Sequence, residues 1–446
     1  MKLQRNNVHL FGGSRSLKLN HRLMTLIVRI ISMRCIFVIG AVVLLCNPFF
    51  HFLVDPNTNL LQNYYSQAAD DVENEKLWVG ESEDSTDPHW NWNHTKNDFS
   101  ATDPHIDKNT RALLDIKLLK ALDRNDSQRS RNCGAITAVT QMSVNEIKLQ
   151  RLKDLASRWS YDGGYISVAI YVPGENAANS AYKRLQLYFE ENSSLFNRTV
   201  VQMVVDNRPN DDLHGDEEDR SPYEYPINIL RNIAIQSAPT DHIMYIDVDF
   251  IPSVGAHFEL VKQINSIDDW QNNKMALILP AFNRYLSDSE DGSSSAESLN
   301  LPRQKSDLLQ HVTGFGGNES NIAPFNLQGF PPGHGPTKFP KWYEATKRYK
   351  VQYKYKYEPY FVIKKNDDLP LFWEYFHGRC FNKWSWVGEL SIAGYRFYVD
   401  PSCFLIHIDH KYSQKDEKYR DHKSRMKEVL NIFKEEHLLQ TYGKSL

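Results

Sequence analysis

Residues His242–Pro252 read HIMYIDVDFIP, and the fold is decided by how this stretch is read. Ile243 to Ile246 form a short apolar run with β-formers, suited to a strand buried on both faces of an α/β sheet. Asp247, Val248 and Asp249 follow at its C-terminal end. In an extended chain, period-two spacing gives both carboxylates the same side. Two hard oxygen ligands side by side at a strand tip suit a divalent cation, which can in turn hold a diphosphate. Pro252 is expected to stop the ladder. The plainer alternative is a turn or capping pair at a strand end.

Working outward, strand-like and helical patterns alternate. Ala135 to Thr140 reads as a first strand. Ser143 and Glu146 have capping-box spacing before a helix with an apolar face of Leu149, Leu152, Ala156 and Trp159. Tyr165 to Val172 is a strand, Ala178 to Glu190 a helix and Val200 to Val205 a strand ending at Asp206. Pro226 sits where a helix can begin, with Ile229, Leu230, Ile233 and Ala234 on its buried face. Lys274 to Phe282 is the next strand after the organising one. This alternation argues for an α/β sheet with a nucleotide crevice at strand C-termini. No GxGxxG or GxxxxGK stretch is present, against a dinucleotide fold or a phosphate-loop ATPase.

The later chain is less regular. Ser287 to Ser298 is acidic and serine-rich, expected as an exposed insertion. Phe325 to Trp342 is rich in glycine and proline, held by Phe330, Phe339 and Trp342, whose aromatics suit a sugar site or a core anchor equally. Tyr349 to Tyr360 interleaves Lys350, Lys354 and Lys356 with tyrosines. Glu358, the acidic flanks and a net charge of −3 argue against nucleic-acid binding. Phe404 to Ile408 is a late strand, and the tail from Lys411 a charged helix packing through Met426, Leu430, Ile432 and Phe433.

The N-terminal part points to a membrane. Of the 446 residues, Met1 to Val54 include no Asp or Glu but do include Lys2, Arg5, Arg15, Lys18, Arg22, Arg29 and Arg34. Cys35 to Val54 spans about a bilayer thickness. With basic residues before it and acidic ones after, the N-terminus is expected in the cytoplasm and the bulk of the chain in the lumen. A cleaved signal peptide is the rival, with an unusually long n-region. The sequons at Asn93, Asn125, Asn192, Asn197 and Asn318 all lie beyond the span. The expected order is a tail over 1–34, an anchor over 35–54, an acidic stem over 55–131 with a short helix at Leu113–Leu122, and a catalytic domain over 132–446. Cys133, Cys380 and Cys403 allow one disulfide and one free thiol, with the pairing left open.

Chemistry beyond the aspartates needs residues from distant sequence. His407, Asp409 and His410 in IHIDH are candidates for a third metal ligand, although a histidine after an apolar run is also an ordinary core residue. Inverting sugar transfer needs a carboxylate to take the acceptor hydroxyl's proton, for which Glu389 and Glu374 are candidates. An acidic sugar donor needs a cation, for which Arg231 and Lys383 are available.

Several segments carry a family resemblance. They are YPINILRNIA at Tyr225–Ala234, YIDVDFIPS at Tyr245–Ser253, LILPAF at Leu277–Phe282, GPTKFPKW at Gly335–Trp342, YEPYFV at Tyr357–Val362, CFNKWSWVGELSIAGYRFYV at Cys380–Val399 and CFLIHIDHK at Cys403–Lys411. In this order the chain resembles the lumenal glycosyltransferases of the LARGE and beta-1,4-glucuronyltransferase 1 group. The resemblance implies a GT-A-type nucleotide-sugar-binding fold with a mixed central sheet, and manganese as cofactor. It implies transfer of glucuronic acid from UDP-glucuronate, with inversion, to a xylose-terminated O-mannosyl glycan on glycoproteins. It implies a single-pass type II protein of the Golgi membrane, and a homo-oligomer or a complex with another glycosyltransferase is compatible with it. Asp247, Asp249 and His407 match the family's metal residues, with Asp247 also facing the donor. Arg231 matches a donor-facing arginine, and Glu389 is the preferred base. Three places depart: PAFE becomes PAFN at Asn283, GYGFN becomes Gly378-Arg379-Cys380-Phe381-Asn382, and a serine-rich insertion precedes Leu301-Pro302-Arg303 on the expected acceptor side. These leave room for UDP-GlcNAc or UDP-xylose as donor. The rivals are a haloacid-dehalogenase-like phosphatase, whose nucleophile loop DVDFI superficially resembles, and a lumenal binding protein without catalysis.

Overall fold

The computed structural model describes residues 110–122, 134–208, 222–267, 270, 274–286, 294–312, 321–409 and 417–446. All belong to one compact unit that begins at Trp92. The expected anchor, and the stem up to residue 109, lie outside the described residues, as do Cys133 and His410. Among the described residues no helix is long and apolar enough to cross a membrane.

A short 3-10 turn at Thr110–Leu113 leads into β1 (Leu114–Lys120), and the first half continues with β2 (Ile136–Ser143), α1 (Glu146–Trp159), β3 (Tyr165–Pro173), α2 (Glu175–Glu191), β4 (Thr199–Asp206), α3 (Ile227–Gln236) and β5 (His242–Tyr245). Next come β6 (Phe250–Pro252), α4 (Ala256–Asn265), β7 (Met275–Leu279), β8 (Ala281–Arg284), α5 (Lys305–His311), β9 (Ile322–Pro324), α6 (Pro331–His334) and α7 (Phe339–Glu344). The chain ends with β10 (Tyr349–Val351), β11 (Tyr360–Lys364), α8 (Asn382–Ile392), β12 (Arg396–Val399), β13 (Leu405–Ile408), α9 (Glu417–Ile432), a π-helical turn at Phe433–Leu438 and α10 (Leu439–Tyr442).

The strands form two sheets. The larger has nine in the order β1-β4-β3-β2-β5-β11-β7-β12-β10, and the smaller has four in the order β6-β13-β8-β9. The β4-β3-β2-β5 block is parallel, as the strand–helix alternation requires, whereas β11 is antiparallel to both β5 and β7. The sheet is therefore mixed. The parallel strands are buried along their lengths, and the apolar faces of α1 and α3 pack into the same core.

Three times the chain leaves the larger sheet and enters the smaller one: from β5 to β6, from β7 to β8 and from β12 to β13. Two of these crossings explain departures from expectation. Lys274–Phe282 is not one strand, because Pro280 separates β7 from β8. A proline lacks the N–H that a continuous central ladder would use. Pro252 does not end the strand that begins at His242. It closes β6, after a turn in which the Phe250 N–H donates to the Asp247 carbonyl (3.0 Å). Asp247 and Asp249 sit in that turn and not in extended chain, so the period-two argument does not aim their side chains.

Two further expectations change. Leu113–Leu122 is not a helix: β1 pairs antiparallel with β4, Leu114 opposite Asp206. Its Leu114, Ile116 and Leu118 alternate with Asp115 and Lys117, a period-two pattern in a segment expected as stem. The capping box does not form either. Asn145 caps α1 by accepting from the Lys148 N–H (2.8 Å), and Glu146 is already in the first turn.

Candidate active site

The site is built at the β5–β6 crossing. Tyr245 ends β5, and its hydroxyl donates to Asp247 Oδ1 at 2.7 Å. Tyr360 opens β11 next door, and its hydroxyl donates to Asp247 Oδ2 at 2.7 Å. Lys383, in the first turn of α8, reaches the same Oδ2 at 3.2 Å and the Tyr360 hydroxyl at 3.0 Å. Arg231 of α3 approaches Oδ1 at 3.5 Å. Four elements thus converge on one carboxylate. Burial works against its ionisation, but the Lys383 and Arg231 charges outweigh that and hold the Asp247 carboxyl well below the ordinary range. Burial, with Asp247 adding to it, raises the Tyr245 and Tyr360 phenols, so both stay protonated and donate.

Arg231 is itself tightly held. Its Nη1 donates to Asn228 Oδ1 (2.9 Å) and Asn382 Oδ1 (3.1 Å), and its guanidinium lies over the rings of Tyr245 (5.0 Å) and Phe372 (4.9 Å). Its buried Nε has no partner among the described residues. Asn382 is fixed in turn by donating to the Gly378 carbonyl at 2.9 Å. The residues leading into α8 carry unusual backbone: φ is +54° at Gly378, +84° at Cys380 and +59° at Phe381. Left-handed conformations at non-glycine residues cost energy, and they gather where a site must be aimed. Here they set Asn382 and Lys383 against Arg231 and Asp247.

Asp249 faces a different cation. Lys148, in the first turn of α1, donates to its Oδ2 at 2.9 Å. His407 lies on β13, where it pairs with Phe250 of β6, and the Ile408 N–H donates to the Asp249 carbonyl at 3.2 Å. Its ring contacts Phe250 and Phe325, and its Nδ1 is 2.6 Å from Asn283 Oδ1. An amide oxygen only accepts, so Nδ1 carries the proton and Nε2 is the lone-pair nitrogen. Such an outer partner is what a metal-binding imidazole uses to set its tautomer. The side chains of Asp247, Asp249 and His407 are nonetheless not gathered: among the described residues no three His, Cys, Asp or Glu groups stand together as a metal cluster.

The two carboxylates expected as bases lie elsewhere. Glu389 accepts from Tyr442 (3.1 Å) and pairs with His437 (2.7 Å) in the C-terminal segment. It follows Lys383 by six residues on α8, about 240° round the helix, so it faces away from Asp247 when Lys383 faces it. Glu374 accepts from Asn232 of α3 (2.8 Å) and pairs with Arg111. It braces the helix that carries Arg231. Cys380 and Cys403 do not form a disulfide with each other.

Reading the sequence missed the two phenols on Asp247, Tyr245 and Tyr360, and three further residues at the site. Lys148 looks like any solvated helix lysine. His334 is buried between Phe325 and Tyr360, and burial together with Lys383 pushes it down to about 3. Glu358 stands two residues before Tyr360. Burial pushes its carboxyl up, against the influence of Lys383 and Arg231. The only available signal was its position in the segment YEPYFV.

A family model described as "Glycosyl-transferase for dystroglycan" matches residues 135–443. The chain is 30% identical over 287 residues to the xylosyl- and glucuronyltransferase LARGE2s of Danio rerio, which covers 64% of this chain and 33% of that protein. It is 29% identical over 290 residues to the xylosyl- and glucuronyltransferase LARGE1 of Homo sapiens, covering 65% and 33%. The match thus spans about a third of the length of these relatives. Among solved structures, GalNAc-T7 with UDP, GalNAc and Mn2+ is similar at 12% identity and a TM-score of 0.39, covering 68% of this chain and 49% of that one.

Proposed function

This chain belongs to the family of glycosyl-transferases for dystroglycan, and from that premise we propose that it moves glucuronic acid from UDP-glucuronate to a xylose-terminated O-mannosyl glycan. The observation that carries the reading is the Asp247 carboxylate held ionised at the β5–β6 crossing, with Lys383 and Arg231 against it. Two fixed cations beside a half-buried aspartate make a place where a diphosphate and a counter-cation can exchange partners with little rearrangement.

The donor set suits a divalent ion. Asp247 and Asp249 supply hard oxygens, and His407 supplies an imidazole whose tautomer Asn283 fixes. These three residues would hold manganese, which when bound neutralises charge on the departing diphosphate. Lys148 and Lys383 now pair with the two carboxylates. On donor binding they are freed to face phosphate or the sugar carboxylate. Arg231 keeps the donor side cationic, as its two amide partners prevent it from swinging out. UDP-xylose and UDP-GlcNAc are the alternative donors, because the chain departs from its relatives at Asn283 and at Gly378–Asn382. Residues 35–54 would anchor the protein in the Golgi membrane with the enzyme in the lumen.

The test is a screen of UDP-sugars, with manganese present or chelated, against a β-xylosyl acceptor. Glucuronate transfer with release of UDP, lost on chelation, is expected. Phosphate release without a sugar nucleotide, or no transfer from any donor, overturns the proposal.

A further inference from the structure

Among the described residues, one carboxylate of the site has no structural employment. Asp247 holds two tyrosines and two cations, Asp249 holds Lys148, Glu374 holds Arg111 and Asn232, and Glu389 holds His437 and Tyr442. Glu358 is different. Its backbone is fixed: the N–H donates to the Gly333 carbonyl at 2.9 Å. Its side chain packs against that glycine so closely that a Cβ at 333 would lie 3.3 Å from Glu358 Cγ and 2.6 Å from the Phe330 ring. Its carboxylate is half-buried within the electrostatic reach of Lys383, Asp247 and Arg231, yet no hydrogen bond to it is made by any described residue. Partly burying a carboxylate without a donor is unfavourable, so a fold that holds one rigidly in such a place invites a chemical reason.

We propose that Glu358 is the general base of sugar transfer, taking the proton from the acceptor hydroxyl. The inference rests on the transferase reading above. In the step, the acceptor O–H bond breaks and its proton passes to a Glu358 oxygen. The acceptor oxygen's electron pair forms the new bond to the anomeric carbon. The bond from that carbon to the diphosphate oxygen breaks, and its electrons leave with UDP. The surroundings of Glu358 suit a base, since an unbonded carboxylate keeps its lone pairs for the incoming hydroxyl and Lys383 steadies the anionic form beforehand. Gly333 serves the same end by leaving room for the Glu358 side chain.

Glu358→Gln tests this with azide as a second nucleophile, because azide attacks without giving up a proton. Wild type and variant are given UDP-glucuronate and manganese with either a β-xyloside or sodium azide, and UDP binding is measured by calorimetry. The variant is expected to bind UDP within about twofold of wild type, to lose about 10²-fold or more of transfer to the xyloside, and to form glucuronyl azide at the wild-type rate. Xyloside transfer within tenfold of wild type overturns the assignment. So does equal loss with both nucleophiles in a variant that still binds UDP, which would make Glu358 a positioning residue. Glu358→Asp, if Gln fails to fold, is expected to retain UDP binding and lose xyloside transfer more than azide transfer; equal losses overturn the assignment in the same way. A wild type that transfers to neither nucleophile overturns the transferase reading together with the base, whereas an active wild type with an unaffected variant overturns the base alone.

Discussion

At Asp247, a phenol and a cation meet each carboxylate oxygen: Tyr245 and Arg231 on Oδ1, Tyr360 and Lys383 on Oδ2. Replacing the charge by an amide of the same shape leaves Lys383 and Arg231 facing each other without their counter-ion. Asp247→Asn is therefore expected to fold, to lose sugar transfer by about 10²-fold or more, and to show this in initial rates at saturating donor. Arg231→Lys should lose activity as well, since an ammonium cannot serve Asn228, Asn382 and Asp247 together. A variant within threefold of wild-type rates would contradict that reading. Asp247, Asp249 and Arg231 were singled out in the sequence, the aspartates by spacing and all three through the resemblance, and Lys383 as a cation available to an acidic donor. Lys148 and Glu358 were not. Each is a charged residue in a segment where solvation is the ordinary outcome, and only the tertiary approach of α1 and the β11 entry to one turn gives them a role.

The helix α8 shows how one element divides its work. Its first turn presents Asn382 and Lys383 to the site, while Glu389 on another face binds His437 and Tyr442. Glu389→Gln is accordingly expected to lower stability by about 1–3 kcal/mol in urea unfolding and to leave transfer within a few-fold of wild type. Loss of transfer at unchanged stability would return Glu389 to the chemistry. The loop before α8 makes a second prediction. Gly378 has φ +54°, and a Cβ there would lie 2.8 Å from the backbone of Tyr223. Gly378→Ala should cost about 1–3 kcal/mol and weaken UDP binding, because the strain is released by moving Asn382 and Lys383. The existence of most helices and strands was readable from period and turn chemistry. The sheet changes were not: an apolar run such as Lys274–Phe282 looks continuous until one knows that its two halves pair with different partners.

Across the whole molecule, the paired sheets place buried histidines where they cannot charge without loss. His242 sits at the start of β5 with neither ring nitrogen bonded to a described residue, and His257 accepts the Ile136 N–H at 3.2 Å while its other nitrogen faces the Asp162 carbonyl. Burial pushes both down to about 4 from an ordinary imidazole value of 6.5. The unfolded chain takes up these protons as pH falls below 6.5, and the folded chain does not until about 4. Their contribution is therefore complete above pH 6.5 and is lost on acidification towards pH 4, at about 1.4 kcal/mol per pH unit for each group. Urea midpoints should fall across that window, and less steeply in His257→Gln; an equal slope would contradict the assignment. The account as a whole depends on the crossing from the large sheet to the small one being a seat for a divalent ion and a diphosphate. Electron paramagnetic resonance of free manganese measures this directly. Addition of UDP is expected to deplete the free-ion signal with the wild-type protein and not with Asp247→Asn or Asp249→Asn; depletion of equal size in all three would contradict it.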